Sequence, residues 1–390
     1  TAASHPDLHP IDAFLGSRAE DQGEQSIAVI LSGSGSDGML GVKAIKERGG
    51  FTIVQGSGRF PPRHVGMPSS AIGTGLVDLV LPAEAIPAKL AEYVQSFDAL
   101  SDLTAEGNRR MSRGVDPATI REAICGVLRD RLAHDFSGYK DRTFMRRVQR
   151  RMQVLQIASA GDYVEHLRHD ATEVSLLFAD LLISVTSFFR DKEAFEALEK
   201  SVIPRLFDGK GSGDTVRVWV PGCATGEEVY SIAILMREHM AALQMLPRIQ
   251  LFATDIDEPA LQIARTGRYP ATLLDGMASS RLERFFSRDG ETYIVSKQIR
   301  DMCVFSSHSL IRDPPYSRLD LISCRNLLIY LSSEMQSRII PVFHYALRPG
   351  GFLFLGTAEN VSQHGDLFAQ IDKKARIFRR RDQVSTTAHF

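Results

Sequence analysis

The chain has 390 residues, 44% of them hydrophobic, and a formal net charge of −1. That length predicts two or three domains with apolar content ample for several cores, and the balanced charge gives no global pull toward nucleic acid or an anionic membrane. No apolar run approaches the roughly 18 residues of a membrane helix, no charged-then-apolar leader opens the chain, and Cys125, Cys223, Cys303 and Cys324 form no C-x-x-C pair, which speaks against a structural zinc or disulfide framework and for a reducing cytoplasm.

Residues 1–100 read as an α/β module. Within 26–50 the run I-A-V-I-L-S-G-S-G-S-D-G-M-L-G-V-K-A-I-K reads as strand, glycine loop and helix, with a second strand over Phe51–Gln55. Gly33, Gly35 and Gly38 satisfy G-x-G-x-x-G. A dinucleotide site wants an acid closing the second strand, however, and Gln55-Gly56 stands there instead. Polar residues over 101–116, including G-N-R-R-M-S-R-G, mark a linker. Residues 117–200 read as a small helical domain. Inside it, 142–155 places Phe144, Val148, Met152 and Leu155 on one face, while Arg142, Arg146, Arg147, Arg150 and Arg151 crowd the others. Such a basic helix can be a solvated face, a dock for an acidic helix or a contact for nucleic-acid phosphate. Within it, Arg146, Arg147 and Arg150 are the candidate docking residues.

Residues 201–382 carry the most informative stretch, V-R-V-W-V-P-G-C-A-T-G-E-E-V-Y-S over 216–231. An apolar strand breaks into a glycine turn that opens onto an acidic helix start, predicted from Glu227 to about Leu243. Carboxylates in that first turn repel a pyrophosphate where bare N–H groups would attract one, and Gly222 and Gly226 lack the dinucleotide spacing. A cationic nucleoside such as S-adenosylmethionine fits this charge pattern; the alternative is that Glu227 and Glu228 merely complement the helix dipole. A strand over 249–255 ends in Asp255, the expected ribose ligand, with Asp257 as the alternative. A helix over 258–266, strands over 302–306 and 319–323, a helix over 333–347 and a strand over 351–356 follow. This alternation predicts a doubly wound, Rossmann-like α/β domain with a parallel sheet and its ligand at the carboxyl ends of the strands. Residues 283–300, with Asp289-Gly290 between apolar runs, read as a small inserted hairpin. D-P-P-Y over 313–316 imitates the motif of methyltransferases acting on adenine or cytosine, but the strand L-D-L-I-S comes after it, so the paired prolines read as a stiff lead-in.

Residues 117–380 resemble the CheR-type chemotaxis-receptor glutamate O-methyltransferases. The resemblance rests on T-S-F-F-R-D (186–191), G-C-A-T-G-E-E-V-Y-S (222–231), A-T-D-I-D (253–257), D-P-P-Y-S-R-L-D-L-I-S-C-R-N-L-L-I-Y-L (313–331) and L-R-P-G-G-F-L-F-L-G (347–356), in family order. It implies a soluble, cytoplasmic S-adenosyl-L-methionine-dependent transferase in chemotactic signal transduction. Such an enzyme forms glutamyl methyl esters on the cytoplasmic helices of methyl-accepting chemoreceptors, without nucleic acid, membrane insertion or metal. By similarity Thr186, Arg190, Gly222, Glu227, Asp255, Leu310, Asn326 and Leu327 contact the cofactor, while Arg190 and Tyr330 border the methyl-transfer site. Ser184 and Ser309 stand where the family carries asparagine, and each keeps a shorter-reaching hydrogen-bonding group. The helical domain is implied to recognise receptor helices, which favours docking by Arg146, Arg147 and Arg150; whether the hairpin binds a receptor tail stays open.

The first hundred residues are similar to the carboxyl-terminal part of a CheB-type methylesterase through S-G-S-G-S-D-G, V-G-M-P-S-S-A-I (65–72) and G-L-V-D-L-V-L-P (75–82). Asp37 then corresponds to the triad acid. The serine and histidine of that family lie upstream of the matched block, and Ser34, Ser36 and His64 qualify by residue type alone, so no esterase activity is expected. These resemblances imply a fragment of a longer esterase–transferase fusion, with possible sensory or kinase domains elsewhere in it.

A glutamate side chain is ionised near neutral pH and needs no general base to accept a methyl group. It needs alignment, dehydration and restraint of its charge, and a planar guanidinium such as that of Arg190 supplies the last by paired hydrogen bonds.

Overall fold

Phe51–Gln55 is buried at every residue, the pattern of a strand covered on both faces, and it forms the centre of the first of three sheets. The computed structural model describes residues 9–105, 116–182, 185–243, 246–290 and 292–382, with backbone alone over 96–105. The chain divides into two units, Thr1–Ser137 with Asp141–Val185, and Gly138–Lys140 with Thr186–Phe390.

The first unit opens with α1 (Pro10–Gln22), β1 (Ile27–Ile30), α2 (Met39–Glu47), β2 (Phe51–Gln55), α3 (Gly66–Gly73), β3 (Leu79–Leu81) and α4 (Ile86–Ala105). β1, β2 and β3 pair in parallel in that order. Leu15, Ile30, Val42, Ile45 and Val54 pack α1 and α2 onto this sheet. Of the linker expected over 101–116, residues 101–105 end α4 and 106–115 lie outside the described residues. The helical part follows as α5 (Pro117–Leu132), α6 (Asp141–Leu155), α7 (Ala160–His169) and α8 (Ala171–Leu182). Phe51, Ile53, Ile86, Tyr93 and Val154 share one apolar cluster, with Phe51 and Tyr93 stacked at 4.1 Å. The parallel sheet and the basic helix α6 therefore have a common core.

The second unit contains α9 (Lys192–Ser201), which the sequence reading assigned to the helical domain, and α10 (Ile203–Phe207). It continues as β4 (Thr215–Pro221), α11 (Glu227–Met240), β5 (Arg248–Asp255), α12 (Glu258–Thr266), β6 (Arg268–Pro270), α13 (Ser279–Phe285), β7 (Phe286–Asp289), β8 (Thr292–Val295), α14 (Lys297–Arg300) and β9 (Cys303–Ser307). β10 (Leu319–Cys324), α15 (Ser333–Ala346), β11 (Leu347–Leu355), β12 (Phe368–Asp372) and β13 (Ile377–Arg380) complete it. A seven-stranded sheet runs β12-β13-β11-β10-β4-β5-β9. Neighbours from β11 to β9 are parallel as the sequence predicts, but β13 and β12 return antiparallel along one edge. The expected hairpin is a three-stranded antiparallel sheet, β6-β8-β7, because Arg268–Pro270 adds a strand.

Chain order runs outward from β4 through β5 to β9 and then jumps to β10 on the other side of β4. That reversal opens a crevice beyond the carboxyl ends of β4 and β10, where open α/β sheets take their ligands.

Candidate functional site

Three loops converge on this crevice. The first is the turn 222–226 between β4 and α11. Gly222 (φ +68°) and Gly226 (φ +93°) adopt left-handed backbone, and so does Ala224 (φ +47°), at some cost for a residue with a Cβ. The turn is pinned from several sides: Cys223 N–H donates to the Thr254 carbonyl at 3.0 Å, and the Tyr269 hydroxyl donates to the Thr225 carbonyl at 2.6 Å. Ala224 N–H donates to Asp255 Oδ2 at 2.8 Å, and Thr225 Oγ1 donates to Glu227 Oε2 at 2.6 Å. Glu227 and Asp255 are thereby both bonded into one short turn, Glu227 fully buried and Asp255 half-buried at the tip of β5. Asp255 Oδ1 also accepts the N–H groups of Ile256 and Asp257 at 2.7 and 3.0 Å. Burial pushes the Asp255 carboxyl up to about 6, against the pull of those amides. Asp257, the alternative ribose ligand, instead caps α12 by accepting Ala260 N–H at 3.2 Å.

The second loop, 186–191, begins at half-buried Thr186 and carries Arg190; Ser184 lies outside the described residues. Phe189 (φ +49°) and Asp191 (φ +60°) are both left-handed. Phe189 N–H donates to Ser231 Oγ at 3.0 Å, which ties the loop to α11. Arg325, whose side chain is fully buried at the tip of β10, donates to the Arg190 carbonyl at 3.0 Å and to Asp191 Oδ2 at 2.7 Å. Its other arm reaches Glu228 Oε2 at 3.4 Å, and Ser323 Oγ donates to Glu228 Oε1 at 2.7 Å. Burial raises the Glu228 carboxyl, opposed first by Arg325 and more weakly by Arg190. Glu228 therefore belongs to an interior charge cluster, while Glu227 faces the turn.

The third loop follows β10. Asn326 is left-handed (φ +59°). Leu327 lies against the first turn, so that a Cβ added at Gly222 would stand 2.9 Å from Leu327 Cδ2. Glu359, 4% exposed, accepts the backbone N–H groups of Asn326 (3.0 Å), Leu328 (2.7 Å), Ile329 (3.3 Å) and Gly356 (2.7 Å). Burial raises its carboxyl and these amides lower it. Tyr330 ends this loop, half-buried, and its carbonyl accepts Lys140 N–H at 2.9 Å. The short segment 138–140 bridges antiparallel at Tyr139 and Leu331 and brings the Tyr139 phenol near this site. Burial raises that phenol first, and the charges of Asp255 and Tyr330 add to it.

Beyond β9, Ser309 N–H donates to Asp313 Oδ2 at 2.8 Å, which closes the loop holding half-buried Leu310. Tyr316 stacks on Phe252 at 4.4 Å and borders Trp219 at 5.6 Å. Asp313 thus closes a loop, and Tyr316 packs against Phe252 and Trp219, before β10 begins.

The basic helix corrects the expectation of a docking surface. Arg147 and Arg150 are 1% and 4% exposed, so neither can meet a partner helix. Arg147 donates to the Lys46 carbonyl at 3.4 Å. Arg150 pairs with Asp78 and, at 2.8 Å, with Asp180, while Lys46 binds the same two acids at 2.7 and 2.6 Å. Arg151 forms a paired bond with Glu173. Only Arg146 of the proposed set is partly exposed, and it contacts Glu24 at 2.8 Å. Periodicity marked the arginine faces as polar; it could not show that acids from other elements bury them. Asp37, meanwhile, accepts the N–H groups of Ile11 and Asp12 at 3.2 and 2.9 Å and so caps the first turn of α1.

Arg325, Glu359 and Tyr139 escaped the sequence reading, and Glu228, read there only as a carboxylate of the helix start, turns out to pair with Arg325. Arg325 sits inside the quoted C-R-N stretch, the one signal that could have marked it; a glutamate beyond the last parallel strand and a tyrosine in a helical region gave none.

Comparison with known proteins matches residues 184–377 to the family described as CheR methyltransferase, SAM binding domain, 121–182 to its all-alpha domain, and 2–90 to the CheB methylesterase family. A "Putative methyltransferase Cher3" of Pseudomonas putida is 33% identical over 64% of this chain and 92% of its own length. A "Chemotaxis protein methyltransferase" of Listeria monocytogenes is 31% identical over 62% of this chain and 89% of its own. An uncharacterized 104.1 kDa protein of Rhodobacter capsulatus is 39% identical over 95% of this chain, which spans 40% of that protein's length.

Proposed function

Since the chain belongs to the CheR methyltransferase family, preceded by a CheB-type methylesterase segment, we propose that it methylates the γ-carboxylate of glutamates on the cytoplasmic helices of chemoreceptors. Its cofactor is S-adenosylmethionine, which supplies a methyl group on a sulfonium. The residues present fit that group. Glu227 and Asp255 bring two carboxylates to the same turn beyond β4, and negative charge there suits a positively charged nucleoside and repels a phosphorylated one. This convergence is the observation that carries the reading. Asp255 would take the ribose hydroxyls, Glu227 the turn side of the cofactor, and Gly222, Leu310, Asn326 and Leu327 its apolar and backbone surroundings, with Thr186 and Ser309 at the rim.

An acceptor carboxylate arrives ionised, so the chain has only to hold it, strip its water and restrain its charge. Arg190 supplies the restraint: a planar guanidinium can grip both carboxylate oxygens. Tyr330 lies on the neighbouring loop and would fix the acceptor's approach. Asp37 is engaged in capping α1, which supports the reading that the esterase segment does not hydrolyse methyl esters. Mapping by peptide mass spectrometry tests the proposal. A receptor fragment incubated with enzyme and S-adenosylmethionine should gain one methylene on glutamate, lost when that glutamate is replaced by alanine. A gain confined to lysine or arginine would overturn it.

A further inference from the structure

The loop 186–191 is built against its own preferences. Phe189 and Asp191 both take left-handed backbone, a conformation that non-glycine residues keep only where surrounding contacts over-determine it. Ser231 holds the Phe189 amide at 3.0 Å, and one side chain holds the two residues that follow. Arg325 grips the loop twice, at the Arg190 carbonyl and the Asp191 carboxylate. With its remaining arm it meets Glu228 at the start of α11, and the Phe195 and Phe354 rings lie 5.1 and 4.7 Å from its guanidinium carbon. Asn326, the next residue, belongs to the loop assigned to the cofactor. A single buried guanidinium therefore joins the segment carrying Arg190 to the helix start and to the strand tip that frame the crevice.

We infer that Arg325 is a positioning residue for methyl transfer, fixing the backbone from which Arg190 projects so that the Arg190 guanidinium meets the acceptor carboxylate; this rests on the role proposed above for Arg190. Lysine cannot replace it. An ammonium presents a point charge on a flexible stem, whereas the geometry uses a planar fork that reaches a carbonyl and a carboxylate at once.

The test compares Arg325→Lys, Arg190→Ala and the double variant in the full chain. Arg325→Lys is expected to lower the methyl-transfer kcat by about 10- to 100-fold, yet by less than about twofold when added to Arg190→Ala, because residues acting as a unit are not additive. Equal losses in both backgrounds, or kcat unchanged, would overturn the inference. Hydrogen exchange needs no acceptor and separates this question from the function itself. The Phe189 amide, bonded to Ser231, should exchange at least about tenfold faster in Arg325→Lys while β10 and β11 stay protected, since the opening is local. Unchanged exchange at Phe189 overturns the inference even if no receptor is methylated, an outcome that would count against the proposed function alone. Should Arg325→Lys not fold, Asp191→Asn breaks the same ion pair from its more exposed end. It should give faster Phe189 exchange as well, and an unaltered rate would be equally decisive.

Discussion

Glu359→Gln swaps two nearly isosteric side chains, yet the geometry predicts a large penalty. Glu359 Oε1 accepts N–H groups from Leu328 and Ile329, and Oε2 accepts them from Asn326 and Gly356. In glutamine one oxygen becomes an NH2 group, so whichever way the amide is turned, two backbone donors face a third donor. Two buried N–H groups left unsatisfied cost about 1–3 kcal/mol each, or about 2–6 kcal/mol together. Removing a carboxylate whose burial disfavours ionisation offsets part of this, and the expected net loss is about 2–4 kcal/mol. Trp219, the chain's single tryptophan, is buried in β4, and its fluorescence reports urea unfolding of the second unit. The midpoint should fall with the slope unchanged. Affinity for S-adenosylhomocysteine, measured by calorimetry, should fall as well, because the loop released carries Asn326 and Leu327. A variant that unfolds within about 0.5 kcal/mol of the parent, a normal spread for surface changes, and binds the product equally well would refute this account of the loop.

Other outcomes follow from the same geometry. Asp255, with its carboxyl near 6, must be ionised to accept both the turn amides and a ribose. Product affinity should therefore fall as pH drops through 6, by about tenfold at pH 5, and Asp255→Asn should bind weakly with a flat profile; an unchanged slope in the variant would assign the titration elsewhere. Gly222→Ala forces a Cβ against Leu327 at a left-handed φ and should weaken product binding at least about tenfold while costing about 1–2 kcal/mol by urea unfolding. Arg190→Ala should depress turnover far more than product affinity, and equal loss of both would mean that its role is misassigned. In the first unit, Asp180→Asn strips one acid from a buried cluster with Lys46, Arg150 and Asp78 and should cost about 3–5 kcal/mol. Asp78 and Asp180 are both held below the ordinary carboxylate range: burial opposes this, but Arg150 and Lys46 outweigh it. Their stabilisation is thus complete above the unfolded-state value of about 4 and is lost as pH falls from there toward the lower folded values, which acid unfolding should show in the parent and less in the variant.

Much of the second unit was legible because its strands are short apolar runs closed by turn residues, and its helices carry a clear apolar period. β4, β5, β9 and β10 fall within a residue or two of expectation. β13 and β12 were missed: K-A-R-I-F-R-R mixes charge with apolar residues, as an edge strand does, and nothing local signals that it runs antiparallel. The turn 222–226 and Asp255 were readable since a glycine turn between strand and acidic helix is a local feature. Arg325, Glu359 and Tyr139 were not, for their partners lie far away in sequence. The same limit misled the reading of α6. Its arginines look solvated in a helical projection, and only the fold brings Asp78, Asp180 and Glu173 to meet them.

The most direct test of the central claim supplies the enzyme with tritiated methyl donor and a panel of receptor fragments, then treats the products with mild base. Glutamyl esters hydrolyse under those conditions and methylated amines do not, so the account predicts label released as volatile methanol and its absence with Arg190→Ala. Label that survives base, or none on any receptor although the product binds, would contradict it.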